Sequence, residues 1–95
     1  MTKTEILNFL RHHKYELQER FGIQKIALFG SYAKDSANEM SDIDIAIEVK
    51  EKDFFIRDDL REYLESHFKK PVDVGYIDSI REFYRQKIEK DMIYA

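Results

Sequence analysis

The chain has 95 residues, of which 43% are hydrophobic and 37% charged, with a formal net charge of −3 and no cysteine. That length predicts one domain with a radius of gyration of about 12 Å, and the composition is that of a soluble globular protein rather than a disordered one. Disulfides and cysteine-based zinc sites are excluded, and the basic footprint of a dedicated nucleic-acid binder is missing. No apolar run reaches membrane-spanning length and Met1–Ile6 lacks a signal segment, so the expectation is a cytoplasmic protein without a membrane or direct nucleic-acid partner.

In chain order, Thr2 and Glu5 have capping-box spacing and open a run with Ile6, Leu10, Leu17 and Phe21 at helical intervals. Gly22 is the natural stop for that single helix. Lys25 to Phe29 is a short apolar run ended by Gly30, which reads as a buried strand. The polar segment from Tyr32 to Met40 begins with a short helix just after Gly30-Ser31. Ile43, Ile45, Ile47 and Val49 alternate with Asp42, Asp44, Ala46 and Glu48, a strand with isoleucines on one face and carboxylates on the other.

Asp53 is placed to cap a helix through Phe68, with an apolar stripe of Ile56, Leu60, Tyr63, Leu64 and Phe68. Pro71 ends that region, and Val72 to Ile77 reads as a third strand. Ser79 and Glu82 form a second capping box, opening a helix near Ile80 that continues to about Lys90. The order α-β-(α)-β-α-β-α, uninterrupted by repeat or linker, predicts a single α/β domain over residues 1–95.

The chemistry concentrates in Gly30-Ser31 and, eleven residues later, Ser41-Asp42-Ile43-Asp44. Gly30 lacks a Cβ and lets a phosphate approach the backbone. Ser31 adds a hydroxyl and a free N–H at a helix start, where anions are favoured. On a strand Asp42 and Asp44 point the same way, separated by roughly 6.5–7 Å. Two like charges at that separation call for a cation between them, and hard carboxylate oxygens suit Mg²⁺ bridging to substrate phosphates. Asp73 has the same phase in the third strand. If that strand neighbours the second, three carboxylates can hold two Mg²⁺ ions and orient or deprotonate an attacking hydroxyl.

Gly30-Ser31-Tyr32-Ala33-Lys34, the spacer through Met40, and Ser41-Asp42-Ile43-Asp44-Ile45 resemble the signature of the minimal nucleotidyltransferase family, a branch of the DNA polymerase beta-like nucleotidyltransferases. The resemblance extends over the Val72-Asp73-Val74 strand and the tail from Ile88 to Tyr94. It implies an α/β (α+β) fold with a small mixed β-sheet flanked by helices. It also implies that Gly30, Ser31 and Lys34 bind the nucleoside triphosphate, and that Asp42, Asp44 and Asp73 are the metal-binding and catalytic residues. The activity implied is Mg²⁺-dependent transfer of AMP from ATP to a tyrosine hydroxyl of a cognate HEPN-type RNase toxin, within a hetero-oligomer. The alternatives are an antitoxin that neutralises by binding alone, and nucleotidyl transfer to a small molecule. Two positions depart from the family pattern: Lys34 replaces a common arginine and loses its bidentate fork, and Asp35 replaces a common glycine, adding negative charge beside the presumed phosphate site.

Other residues read as structural. His13 fits the stripe between Leu10 and Leu17, and adjacent His12 diverges from it by about 100°. His67 has no assigned function, and Asp58, Asp59, Glu62 and Glu65 form a solvated helix face. Tyr84, Met92, Ile93 and Tyr94 divide between core packing and a partner interface.

Overall fold

The hydroxyl of Thr2 accepts from Glu5 N at 3.2 Å while Glu5 Oε1 accepts from Thr2 N at 3.1 Å, and this reciprocal cap starts α1 (Lys3–His12). The computed structural model describes residues 1–84 and 90–95, apart from the side chains of Arg81, Phe83 and Tyr84. The expected single N-terminal helix is two helices, α1 and α2 (Lys14–Phe21), broken at His13 (φ −101°, ψ 14°). The break has a local cause. His13 stacks on Phe9 with centroids 4.0 Å apart, and its Nδ1 reaches Phe9 O at 2.8 Å, so a side chain competes for a carbonyl that the helix itself uses. Gly22, at φ 67°, closes α2 in the left-handed conformation.

The sheet is formed by β1 (Ile23–Phe29), β2 (Ile43–Val49), β3 (Val72–Tyr76) and β4 (Ile93–Tyr94), in the order β3-β2-β1-β4. β1 begins earlier than its apolar run suggested, because Ile23 pairs with Val49 across a bulge before Lys25. β2 is antiparallel to β1 and parallel to β3. The parallel step is made by α4 (Ile56–Phe68), whose Leu60, Leu64 and Phe68 are buried. Two helices leave strands directly: α3 (Gly30–Ala33) after β1 and α5 (Ile77–Tyr84) after β3. The result is the expected mixed sheet flanked by helices.

Alternation decides what each sheet face carries. Ile26, Leu28, Ile43, Ile45, Ile47, Val72 and Val74 join Ile6, Leu10, Leu17, Leu60 and Leu64 in the main core. The opposite face carries Ala27, Phe29, Asp44, Ala46, Asp73 and Gly75. There Ala46, Ile77 and Ile80 form a second, smaller cluster with Phe29 and Met92 against it. Small residues are needed here: a Cβ on Gly75 would come within 3.1 Å of Ile80 Cδ1. α5 therefore covers part of this face.

Three expectations need correction. Asp53 does not cap α4; its Oδ1 accepts from Phe55 N at 2.9 Å in a turn ahead of the helix, and Phe55 occupies the cap position. Glu65 is not merely part of a solvated face, since it accepts from Arg61 at 2.9 Å and from Val72 N at 2.9 Å, holding the start of β3. α5 starts at Ile77, ahead of the Ser79–Glu82 pair, because burial of Ile77 and Ile80 carries the strand straight into the helix. The expected continuation to Lys90 crosses residues 85–89, and with them Ile88 and Glu89 of the tail lies outside the described residues. Ile93 and Tyr94, expected to divide between core packing and a partner interface, form an edge strand on β1; Ile93 packs against the main core, and Tyr94 remains 42% exposed.

The radius of gyration is 12.4 Å, as expected for this length. Among the described residues no helix is long and apolar enough to cross a membrane. Leu64, fully buried, should cost about 2–5 kcal/mol when replaced by Ala. Gly22→Ala should cost about 1 kcal/mol through its backbone alone, since a Cβ there meets nothing within 4 Å. Urea unfolding of both variants checks the pair, with equal slopes and separated midpoints expected.

Candidate active site

β1 ends at Phe29 and the chain turns at once into α3, which requires φ 74° at Gly30 and hence a residue free of a side-chain penalty. The close approach is as important as the dihedral. Phe29 pairs with Asp44 across the β1–β2 ladder, and a Cβ on Gly30 would overlap Asp44 Oδ2 and lie 2.9 Å from its Cγ. The Asp44 carboxylate therefore rests on the Gly30 backbone.

Asp44 pairs with Asp73 in the parallel β2–β3 register, so the condition for bringing the third aspartate to the site is met. Asp42 precedes β2 by one residue and is exposed. A turn delivers it: Asn38 Oδ1 accepts from Met40 N at 2.8 Å, and Ser41 Oγ accepts from Asn38 N at 3.0 Å. Ile43 N then bonds Pro71 O at 3.0 Å, which locks the starts of β2 and β3 together.

The electrostatics follow from that placement. Burial first, then the charges of Asp73 and Asp42, push the Asp44 carboxyl up from 3.8 to about 6. Among the described residues no Lys, Arg or His forms an ion pair with Asp42, Asp44 or Asp73. Among the same residues, no three His, Asp or Glu side chains are arranged to hold a metal ion by themselves. A crowded, uncompensated carboxylate set of this kind fits Mg²⁺, which takes one or two protein carboxylates and completes its shell with water and substrate phosphate.

A cavity of about 410 Å³ opens beside these groups, lined by Gly30, Lys34, Asp44, Asp73, Asp91 and the flanking Phe29, Gly75 and Ile80. Ser31 and Asp42 lie outside that lining. Ser31 O accepts from Ser36 N at 2.9 Å, closing the turn after α3, whereas its hydroxyl makes no hydrogen bond among the described residues. A separate apolar groove of about 320 Å³, under Leu17, Ile23, Ile26 and Tyr94, carries no carboxylate side chain.

Both departures from the family pattern have a structural outcome. Lys34 Nζ lies 3.6 Å from Asp91 Oδ2, a residue that sequence reasoning did not assign to the site. The signal was the Met92-Ile93-Tyr94 run, which, read as a strand, brings Asp91 back to the sheet. Asp35 occupies the left-handed region at φ 59°, which explains a glycine preference there. Its carboxylate does not crowd the cavity, because Lys3 draws it away at 2.8 Å.

A family model described as the nucleotidyltransferase domain matches residues 10–95. The chain belongs to this family. This nucleotidyltransferase is 35% identical over 96 residues to the protein adenylyltransferase MntA of Thermococcus cleftensis, covering 100% of this chain and 97% of that protein. It is 41% identical over 95 residues to protein MJ0126 of Methanocaldococcus jannaschii, covering 98% and 97%. A crystal structure of a toxin–antitoxin with AMP-PNP matches at TM-score 0.70 and 27% identity, over 87% of this chain and 69% of that one. The fold alone is shared, at TM-score 0.63 and 24% identity over 93% and 70%, with a complex of an MNT antitoxin and a tri-AMPylated Shewanella oneidensis HEPN toxin. The fold is thus that of a minimal nucleotidyltransferase, as the sequence resemblance implied.

Two predictions follow from Asp44 and Gly30. In the folded, metal-free chain Asp44 keeps its proton between pH 3.8 and about 6, where the unfolded residue has lost it. Its contribution to stability is therefore full below that window and is lost as pH rises through it. Asp44→Asn should remove this downward slope and leave the variant more stable than wild type above about pH 6, measured by urea unfolding across the window without divalent cations. Gly30→Ala should lose at least about tenfold in affinity for ATP with Mg²⁺ and about 1–2 kcal/mol of stability, read by calorimetric titration and thermal unfolding.

Proposed function

We propose that this nucleotidyltransferase is a Mg²⁺-dependent protein adenylyltransferase antitoxin, which transfers AMP from ATP to a tyrosine hydroxyl of a cognate HEPN-type RNase toxin and so neutralises it. The observation that carries this reading is the pairing of Asp44 with Asp73 over Gly30. Kinship with the T. cleftensis adenylyltransferase and with a toxin–antitoxin structure holding AMP-PNP supports it. Residues 1–95 act as a single minimal nucleotidyltransferase domain in the cytoplasm, in a hetero-oligomer with the toxin and without direct contact to nucleic acid.

In this reading Asp42, Asp44 and Asp73 are the metal-binding and catalytic residues, and Gly30, Ser31 and Lys34 hold the triphosphate. Held by these aspartates, up to two Mg²⁺ ions would supply neutralisation of phosphate charge and polarisation of the reacting phosphoryl group. The Gly30 backbone lets the polyphosphate come close, and the Ser31 hydroxyl and the Lys34 ammonium donate to its oxygens. Asp44 and Asp73 orient the acceptor side. The tyrosine oxygen attacks the α-phosphorus, the bond to the β-phosphate oxygen breaks and pyrophosphate leaves. Asp73, the more exposed of the pair, takes the hydroxyl proton. Among the described residues, each of the helices α1 to α5 packs into the main core or the α5 cluster, and in this reading the acceptor is presented by the partner protein.

The test is incubation of the purified chain with α-labelled ATP, Mg²⁺ and the HEPN-type toxin encoded beside it. Wild type should label a toxin tyrosine, chelation of Mg²⁺ should abolish labelling, and Asp42→Ala with Asp44→Ala should reduce it by at least about 10³-fold. Labelling that survives in the double variant, or is absent from wild type, would refute the enzymatic reading.

A further inference from the structure

Topology brings one more carboxylate to the cavity. β4 runs antiparallel to β1, with Leu28 opposite Ile93 and Ala27 opposite Tyr94. The residues just before β4 therefore return to the end of the sheet where Gly30 turns. Met92 packs with Phe29 against Ala46, Ile77 and Ile80, which fixes the backbone next to Asp91. Asp91 then lines the same cavity as Gly30, Lys34, Asp44 and Asp73, with its Oδ2 3.6 Å from Lys34 Nζ. Among the described residues, three carboxylates thus face that space, and Lys34 is the single cation in its lining.

We infer that Asp91 is a positioning residue for Lys34 that competes with the nucleotide: it holds the ammonium at the cavity wall until a polyphosphate takes it over. This rests on the reading of the cavity as the nucleotide site. Side-chain exposures of 51% for Lys34 and 34% for Asp91 mark a solvated pair, which shifts an equilibrium by at most about fivefold. A triphosphate carries several negative oxygens and is the stronger acceptor for the ammonium, so the exchange favours the nucleotide. The Asp91 charge also repels a polyphosphate across the cavity, an effect that salt screens. Both contributions act in one direction, weakening nucleotide binding. Lys34 is not placed by Asp91 alone, because its backbone N–H bonds Gly30 O at 3.2 Å. When pyrophosphate leaves, Lys34 returns to Asp91, so the site releases what it has gripped.

The experiment is calorimetric titration of the full chain with ATP in Mg²⁺, for wild type, Asp91→Asn, Asp91→Glu, Lys34→Ala and the Lys34→Ala/Asp91→Asn double variant. Asp91→Asn should tighten binding about twofold to fivefold, and Asp91→Glu should stay near wild type. In transfer assays Asp91→Asn should lower KM for ATP while kcat stays within about twofold. In the Lys34→Ala background the gain from Asp91→Asn should shrink to less than about twofold, which isolates the part that acts through Lys34. Binding by Asp91→Asn equal to or weaker than wild type overturns the inference, as does an undiminished gain without Lys34. Asp91→Ser replaces the Asn variant if thermal unfolding reports a misfolded protein. A wild type that binds no ATP sinks the nucleotide-site reading itself. A wild type that binds and transfers, with Asp91→Asn indistinguishable from it, sinks this inference alone.

Discussion

Asp44 is held against the Gly30 backbone and opposite Asp73, and the surrounding architecture serves to keep it there. A carboxylate does not choose such a place for itself. Burial and two like charges raise its pKa to about 6, so near neutral pH its charge opposes folding. What holds it is its neighbours in sequence: Ile43 and Ile45 are fully buried on the other face, and with a side-chain period of two they leave Asp44 nowhere else to point. Each buried isoleucine contributes roughly 1.5–3 kcal/mol, more than enough to outweigh one crowded carboxylate.

The two faces of the sheet divide this labour. The Ile/Leu/Val face meets α1, α2 and α4 in the main core, while the other carries small residues where α5 approaches and acidic ones where it does not. Gly75 and Ala46 admit Ile80 and Ile77, whereas Asp44 and Asp73 line the open cavity, with Ile80 at its wall. The site is the part of the sheet that α5 leaves open, and among the described residues no cation pairs with Asp44 or Asp73, an arrangement suited to a divalent ion and a phosphate.

What the sequence makes legible is whatever depends on local periodicity or a single backbone requirement. Ile43 to Val49 alternates without ambiguity, Thr2 and Glu5 form their reciprocal cap, and Gly22 and Gly30 occupy positive φ. What it hides depends on contacts distant in sequence or on side chains competing with the backbone. The stacking of His13 on Phe9 breaks a helix that its apolar stripe would continue. The pairing of Asp35 with Lys3 reverses an apparent liability, and neither residue announces the other across 32 positions. The start of α5 follows buried Ile77 rather than the Ser79–Glu82 spacing, as tertiary burial overrides capping preference. Asp44 and Asp73 were legible because their alternation with buried isoleucines and valines matches the strand period; Asp91 was not, because its place depends on a two-residue strand.

That two-residue strand matters out of proportion to its length. β4 contributes two ladder pairs to β1 and closes the edge next to it, but an edge strand this short adds little pairing energy of its own. Its larger effect is positional. By pairing with the strand that ends at Gly30, it returns the chain to the site and sets Asp91 beside Lys34 without any insertion. As a positioning residue just ahead of the edge strand, Asp91 would act electrostatically, weakening an attraction without altering the geometry that creates it.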